Sequence, residues 1–366
     1  MAEIKLNKRH SLYQEDLTSI LEIPKLEKIK KKSFLITGAT GMIGTCLIDA
    51  LMYYNHHGAD IHIYAVGRNW ENAKSRLGEY EEDAHFHFIE QDVRQPFSKD
   101  IKVDVVIPLA SNTHPLAYSQ YPIETIEINV KGAENSLAKA LECDAMVLYP
   151  SSVEVYGNAR GNDIFTEDYT GKLNLANARS CYPESKRLSE ALCYSYMAER
   201  GAKVKIARLS RVFGPTMLAS DTKASSQFIL KALAGEDIIL KSKGEQFFSY
   251  TYVADVVRAM LFILLHGEYG KAYNVSNQDC NVKLRDFAEA CARWACKDVV
   301  FDLPSDVEQK GYSVAMHAVL DNALLQSIGC QLLFPFGEAI HRTLVILADK
   351  EDLPPNAEAM INHNIL

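Results

Sequence analysis

Phe34-Leu35-Ile36-Thr37-Gly38-Ala39-Thr40-Gly41-Met42-Ile43-Gly44 combines a strand pattern, a glycine turn and the start of a helix. A short apolar run ends in glycines spaced three apart, and an apolar helical pattern follows at once. A strand, a tight turn and a helix N-terminus in this order form an anion site, because backbone N–H groups and the helix dipole point at the turn. The missing side chains let a pyrophosphate approach. We therefore expect a dinucleotide to contact Gly38, Gly41, Met42, Ile43 and Gly44.

Strand and helix patterns alternate along the first 210 residues. Further apolar strand patterns occupy residues 60–66, 86–89, 103–110, 145–149 and 203–209. This alternation predicts a Rossmann-like α/β fold, a doubly wound parallel sheet covered by helices on both faces. We expect the following organisation: an N-terminal extension at 1–32, a dinucleotide-binding domain at 33–211 to which 250–275 return, a smaller C-terminal substrate-binding α/β domain at 212–249 and 276–345, and a tail at 346–366.

Composition excludes several classes of function. The 366 residues are 48% hydrophobic and 23% charged, which is ordinary for a globular protein. A formal charge of −8 argues against nucleic acid as the main partner. No apolar run approaches the ~20 residues that cross a bilayer, and the charged N-terminus lacks a signal-peptide core. The eight cysteines contain no C-x-x-C pair and no cluster at metal spacing, so we expect a metal-free cytoplasmic protein.

The ends of the second and third strands bear on the choice of cofactor. An acidic residue at the end of the second strand holds the adenosine ribose of NAD in many dinucleotide folds. Here the segment reads Gly67-Arg68-Asn69, without a carboxylate. Arg68 is placed to receive the 2′-phosphate of NADP instead. The third strand delivers Asp92 to its end, followed by Val93. The sequence predicts NAD and leaves NADP open.

Candidate catalytic residues follow the fifth strand. Ser152 and Glu154 emerge at its carboxyl end, which is the ligand side of an open α/β sheet. Tyr182 and Lys186 lie four residues apart, and therefore on one face of a helix. A free phenol has a pKa of about 10, and a nearby ammonium stabilises the phenolate. Tyr182 can then take a proton from a substrate hydroxyl while hydride leaves the same carbon, with Ser152 orienting the substrate oxygen.

The chain resembles the extended short-chain dehydrogenase/reductases of the NAD-dependent epimerase/dehydratase family, which act on nucleotide sugars. Thr37 to Gly44 is similar to their T-G-x-x-G-x-x-G motif. Their other motifs occur here in the family's order: Asp92-Val93, Leu109-Ala110-Ser111, Asn129-Val130-Lys131-Gly132, Ser152, Tyr182 with Lys186, and Phe213-Gly214-Pro215. The resemblance covers residues 33–345. It implies that Asp92, Val93, Leu109, Ala110, Ser111, Asn129, Tyr182 and Lys186 contact the cofactor.

Within that family the chain is most similar to UDP-glucuronate decarboxylases. Ser151-Ser152-Val153-Glu154-Val155-Tyr156-Gly157 resembles their S-T-S-E-V-Y-G, and residues 179–187 resemble their R-A-C-Y-D-E-G-K-R. The resemblance implies C4 oxidation by a tightly bound cofactor, loss of CO₂ from the resulting β-keto acid, and re-reduction. Glu154 would then orient the sugar ring or a water, or move a proton at C5.

Departures from the family pattern fall in the substrate region. We expect contacts to the substrate from Asn112, His114, Arg211 and Gln227. Phe248 stands where relatives carry an arginine that holds the diphosphate, and a second basic residue is replaced around residues 318–321. Arg211 replaces an asparagine and supplies a cation for a phosphate or carboxylate. Losing two bidentate contacts is not neutral, so either the diphosphate is held differently or the substrate is not a standard UDP-sugar.

Several other functions remain open at this point. Val153 cannot donate a proton, which counts against a 4,6-dehydratase, and Glu154 counts mildly against a 4-epimerase. The missing carboxylate before Arg68 suggests an NADPH-dependent sugar reductase. Phe248 suggests a dinucleotide-binding protein without catalysis. Relatives form a four-helix dimer interface through helices matching residues 129–141 and 182–198, whose broad apolar faces predict a homodimer here.

Overall fold

The chain folds as helices and strands that alternate over most of its length. The computed structural model describes residues 6–113, 115–302 and 316–350. The helices are α1 Ser11–Leu21, α2 Met42–His56, α3 Trp70–Leu77, α4 Pro115–Gln120, α5 Pro122–Cys143, α6 Cys181–Arg200, α7 Ala224–Leu233, α8 Val253–His266, α9 Leu284–Ala295, α10 Ala323–Ser327 and α11 Phe336–Ala348. The strands are β1 Ser33–Thr37, β2 His62–Gly67, β3 Phe86–Glu90, β4 Val105–Pro108, β5 Met146–Ser152, β6 Ile164–Phe165, β7 Lys203–Leu209, β8 Arg211–Phe213, β9 Ile238–Leu240, β10 Phe247–Tyr252, β11 Ala272–Val275, β12 Asn281–Lys283, β13 Val299–Phe301 and β14 His317–Leu320.

Seven strands of the described chain form the central sheet, in the order β11-β7-β5-β4-β1-β2-β3. Every neighbouring pair is parallel. The order reverses direction between β1 and β4, and ligands of such sheets bind outside the carboxyl ends of the strands at this switch point. β1 is buried, with Phe34, Leu35 and Ile36 fully inaccessible to solvent. The prediction of a doubly wound parallel sheet is confirmed.

A smaller sheet includes β8, which directly follows the carboxyl end of β7. Its order is β12-β10-β14-β6, and β8 pairs with β10. The chain passes from the large sheet to the small one at Ser210, between β7 and β8. It returns after β10, because α8 packs on β7 and β11 joins the edge of the central sheet. β6 reaches the small sheet from within residues 33–211, and the domain boundaries stay a prediction.

The N-terminal segment packs on the central domain through buried polar contacts. Helix α1 contacts α2, α8 and α11. The Asp49 carboxylate accepts hydrogen bonds from Lys8 and Tyr13, both at 2.6 Å. Asp16 accepts from Arg342 at 2.8 Å, and burial raises its pKa to about 6. Across the described part of the chain, no helix combines the length and apolar character needed to span a membrane.

Candidate active site

The glycine turn forms a cradle between β1 and α2. Gly38 has a φ of +64°, and a Cβ there would lie 2.7 Å from backbone atoms of Leu109 and Ala110. A Cβ on Gly44 would overlap the carbonyl oxygen of Gly38. Gly41 caps α2 without a side-chain hydrogen bond, so the N–H groups of the first turn lack a cap. A cradle that side chains would fill, beside free helix N–H groups, fits a pyrophosphate.

We call the region around Gly67, Arg68 and Glu90, where the adenosine ribose of a dinucleotide is expected, the adenosine end of the site. Gly67 is tightly enclosed there. A Cβ at this position would lie 2.7 Å from Cζ of Phe88. That ring packs against Trp70 with centroids 4.7 Å apart, so a carboxylate at Gly67 requires the aromatic pair to move. Glu90 stands in register beside Gly67 on β3, and its Oε2 accepts the Trp70 backbone N–H at 2.9 Å. Sequence reasoning missed Glu90, because only the pairing of β2 with β3 brings it to this place.

Both arginines at the adenosine end are engaged in ion pairs. Arg68 is 68% exposed and lies 3.5 Å from Glu124. Arg94 is paired with Asp92 at 2.6 Å, and its hydrogen bonds lower the pKa of that carboxyl. Val93, which follows Asp92, is buried. The structure thus places Arg68, Asp92 and Val93 at one edge of the site. Glu124 compensates the charge of Arg68, and Arg94 compensates that of Asp92.

The predicted catalytic residues meet at the carboxyl end of β5. Ser152 is the last residue of β5, and Tyr182 lies in the first turn of α6 with Lys186 one turn later. Burial raises the pKa of Tyr182, and the Glu154 carboxylate raises it further. A hydrogen bond with Ser152 and the charge of Arg179 act in the opposite direction. Ser152 and Arg179 therefore offset part of the rise, and the pKa of Tyr182 stays above its ordinary value because burial and Glu154 outweigh them.

The expectation that the Lys186 ammonium stabilises this phenolate directly is not met. Its Nζ instead donates to the carbonyl oxygen of Pro150 at 2.9 Å and lies 5.1 Å from the Tyr149 ring centroid. Burial lowers the pKa of Lys186 to about 8. The Pro150 carbonyl near the end of β5 thus holds the Lys186 ammonium.

Unpartnered polar atoms mark the space between β5, α5 and α6. Asn129 donates to the Ser185 hydroxyl at 2.8 Å, while its Oδ1 is buried without a hydrogen-bond partner. The Tyr149 hydroxyl is likewise buried without one. Both residues line a small cavity together with Thr37, Ala110 and Lys186. Buried polar groups normally have hydrogen-bond partners, so these unpartnered atoms fit the polar groups of a bound dinucleotide.

Glu154 and Arg179 form a bidentate ion pair beside Tyr182. The two guanidinium nitrogens donate to the two carboxylate oxygens at 3.2 and 2.8 Å. Arg179 also lies 5.8 Å from the ring centroid of Tyr118, which stacks on Tyr182 with centroids 4.9 Å apart. The contacts of Arg179 and Tyr118 went unrecognised in the sequence, because each joins segments far apart along the chain.

The remaining predicted residues differ in their surroundings. The Asn112 amide donates to the Thr125 hydroxyl at 3.2 Å. Gln227 is exposed on α7 and donates to the Asp221 carbonyl at 2.6 Å. Leu109, Ala110 and Ser111 follow β4 at the switch point, where the Ala110 N–H donates to the Thr37 hydroxyl at 3.1 Å. His114 lies outside the described residues. The guanidinium of Arg211 lies over the ring of Phe248.

Comparison with known proteins identifies the family. Residues 34–276 match the model of the NAD-dependent epimerase/dehydratase family, and the chain belongs to that family. It is 34% identical to UDP-glucuronic acid decarboxylase 1 of Xenopus tropicalis over 252 residues, which cover 69% of this chain and 58% of that protein. It is 33% identical to decarboxylase 6 of Arabidopsis thaliana over 243 residues, covering 66% and 68%. The chain spans about three fifths, 58% and 59%, of the two vertebrate relatives' lengths.

Solved structures share the fold at low sequence identity. A dTDP-glucose 4,6-dehydratase from Streptomyces venezuelae with NAD and TYD bound superposes with a TM-score of 0.73 at 20% identity, covering 87% of this chain and 97% of that one. A UDP-glucuronic acid 4-epimerase from Bacillus cereus in complex with its sugar and NAD gives 0.74 at 18% identity, covering 87% and 99%. Both likenesses concern the fold alone.

Proposed function

We propose that this protein is a decarboxylase of a nucleotide-linked uronic acid, with UDP-glucuronate as its model substrate. The observation that carries the proposal is the bidentate Glu154–Arg179 pair beside Tyr182 and Ser152. Tyr182 and Ser152 suit proton transfer at the C4 hydroxyl of the sugar. Glu154 and Arg179 add an acid–base pair for the neighbouring carbon, C5. The decarboxylase relatives support the same choice.

Each residue has a defined task in this proposal. Tyr182 removes the proton of the C4 hydroxyl, while Ser152 holds that oxygen by a hydrogen bond. Bound NAD would supply the hydride acceptor for the oxidation at C4 and the hydride donor for the later reduction. A ketone at C4 lies β to the C6 carboxylate, so CO₂ leaves and an enolate remains at the oxygen held by Tyr182 and Ser152. Glu154, held in place by Arg179, orients the ring and guides the proton that returns to C5.

The alternative functions fit the residues of the site less well than decarboxylation does. A 4,6-dehydratase must protonate a departing C6 hydroxyl, and the residue before Glu154 is the buried, apolar Val153. A 4-epimerase has no use for the Glu154–Arg179 pair and needs room for the sugar to turn over. A net reductase would consume its cofactor in each turnover. The complete Ser152, Tyr182 and Lys186 set disfavours a protein that binds a dinucleotide without catalysis.

We propose NAD rather than NADP as the cofactor. Gly38, Gly44 and the free N–H groups of α2 would hold the pyrophosphate, and Lys186 and Asn129 would face the nicotinamide ribose. Glu90 supplies a carboxylate beside Gly67 that repels a 2′-phosphate. Arg68, the expected phosphate ligand, is exposed and already paired with Glu124.

Mass spectrometry of reactions with UDP-, GDP-, CDP- and dTDP-sugars tests the reaction class. We expect a product lighter by one CO₂ from UDP-glucuronate, with no net consumption of cofactor. An epimer of unchanged mass, a dehydrated product or stoichiometric use of NADPH would each contradict the proposal. Tyr182→Phe should lower turnover by about 10² to 10⁴-fold, the usual contribution of a general acid–base group. Turnover of that variant within a few-fold of the parent would exclude Tyr182 as the base.

A homodimer through α5 and α6 is also proposed. These helices pack against each other and leave large apolar side chains exposed, with Ile123 75% and Leu188 49% accessible. Large exposed apolar side chains on two packed helices favour a covered face. Sedimentation of the purified protein should give twice the chain mass, and Leu188→Asp should shift it toward the monomer. A monomeric parent at micromolar concentration contradicts the proposal.

A further inference from the structure

Arg211 lies at the boundary between the two sheets. It begins β8 and pairs with Tyr250 of β10 in the parallel register of those strands. Its guanidinium carbon lies 3.5 Å from the centroid of the Phe248 ring. A planar guanidinium stacks well on an aromatic face, so this ring supports the cation from one side and fixes its position.

The charge of Arg211 is poorly compensated. Its Nη1 is shielded from solvent and has no hydrogen-bond partner among the described residues. Glu154 is the carboxylate that acts on it, but Glu154 already accepts two hydrogen bonds from Arg179. Two cations therefore share one carboxylate in this part of the site. A buried donor without a partner is unfavourable, which indicates that a ligand anion completes the arrangement.

We propose that Arg211 binds the carboxylate of an acidic sugar. Glu154 and Arg179 act electrostatically on both Tyr182 and Arg211, so Arg211 belongs to the same group of charged side chains as the residues proposed to act on the sugar. In a uronic acid only C5 separates the C6 carboxylate from C4. A guanidinium can bind that carboxylate through two parallel hydrogen bonds. The assignment rests on the proposed function and names the residue that selects an acidic substrate.

This assignment explains together the two departures from the family pattern at positions 211 and 248. An arginine on β10 is absent, and the adjacent strand β8 supplies one whose support is the ring at the vacated position. The contact stabilises the bound uronic acid rather than the transition state for CO₂ loss, so it serves selection rather than rate. Once CO₂ has left, the anion is gone and the neutral pentose is held less tightly.

Calorimetric titration of the NAD-loaded protein with UDP-glucuronate, UDP-glucose and UDP tests the assignment. Arg211→Gln should weaken the binding of UDP-glucuronate by about tenfold to a hundredfold, the range expected for the loss of a charged hydrogen bond. The affinities for UDP-glucose and UDP should stay within about threefold of the parent's, because neither ligand carries the carboxylate. Arg211→Lys keeps the charge without the planar fork and should fall between parent and Arg211→Gln. Arg285→Gln, which removes an exposed pair with Glu245 at 2.8 Å, is the matched control.

Equal weakening of all three ligands would place the guanidinium on the diphosphate and overturn the assignment. Unchanged affinity for UDP-glucuronate would overturn it as well. A parent protein that binds none of the three contradicts the proposed function itself, and the assignment falls with it. Thermal melting of the unliganded Arg211→Gln protein separates lost binding from lost folding. Because the variant removes an uncompensated charge, it should melt no lower than the parent.

Discussion

The adenosine end of the site, at Gly67 and Glu90, and the sugar end, at Phe248 and Arg211, each carry a charge on the strand next to the one where the family pattern predicts it. No carboxylate ends β2 at Gly67, and Glu90 stands beside it in register on β3. No arginine occupies Phe248 on β10, and Arg211 of β8 stacks on that ring. At the sugar end the Phe248 ring contacts the charged group directly. At the adenosine end Glu90 accepts the backbone N–H of Trp70, whose ring packs on Phe88.

The two ends differ in solvent exposure and in charge compensation. Arg68 at the adenosine end is 68% exposed and paired with Glu124. Arg211 at the sugar end has a buried Nη1 without a partner. Exposed pairs contribute little because water screens them, whereas an unpaired buried charge has a large effect. Substitutions at the sugar end should therefore change the protein more than equivalent substitutions at the adenosine end.

The largest effect is expected when an arginine is restored at the sugar end. Phe248→Arg places a second guanidinium where the ring now supports Arg211. Two like charges without a shared anion should lower the free energy of unfolding by about 3 kcal/mol in the unliganded protein. The double variant Phe248→Arg/Arg211→Asn removes one of the charges and should recover most of that loss. Urea unfolding at constant m-value measures both.

A control for this prediction lies one residue away. Phe247 is partly exposed on the same strand and contacts His317, with ring centroids 5.7 Å apart. Phe247→Arg should change stability by no more than about 1 kcal/mol, since its charge can reach solvent. A Phe248→Arg protein as stable as the parent would mean that Arg211 is free to leave the ring, and the contrast between the two ends would fail.

Local patterns were sufficient to place the segments that carry the candidate site residues in the fold, while the roles of those residues stay predictions. The glycine turn, the strand ends at Ser152 and Asp92, and the pair on α6 each depend on spacing within one segment. Strand pairing and distant contacts were not predictable in this way. Glu90 reaches Gly67 only through the β2–β3 register, and the Glu154–Arg179 pair joins residues 25 apart along the chain.

A middle-sized effect is expected when the adenosine end is returned to the usual pattern. Gly67→Asp introduces a Cβ at 2.7 Å from Cζ of Phe88, whose ring is held by Trp70. Overpacking of this kind should lower the free energy of unfolding by about 1 to 3 kcal/mol. Phe88→Leu in the same chain should relieve it. Gly337→Ala, where a Cβ meets nothing within 4 Å, serves as the control. If Gly67→Asp unfolds like the parent, Phe88 does not exclude a side chain there.

The smallest effect is expected from the charge of Glu90. Its carboxylate adjoins Gly67 and accepts the Trp70 N–H, and Glu90→Gln removes the charge while keeping an oxygen acceptor. The preference for NAD over NADP should fall by about three- to tenfold, since an exposed charge is worth roughly 1 kcal/mol against a 2′-phosphate. Arg68→Gln should change that ratio by less than about twofold, because its charge is exposed and paired. Dissociation constants from fluorescence titration of both dinucleotides give the ratio for each variant. A larger shift for Arg68→Gln than for Glu90→Gln would assign cofactor choice to the arginine, because only a direct contact with the 2′-phosphate gives an exposed cation that much influence.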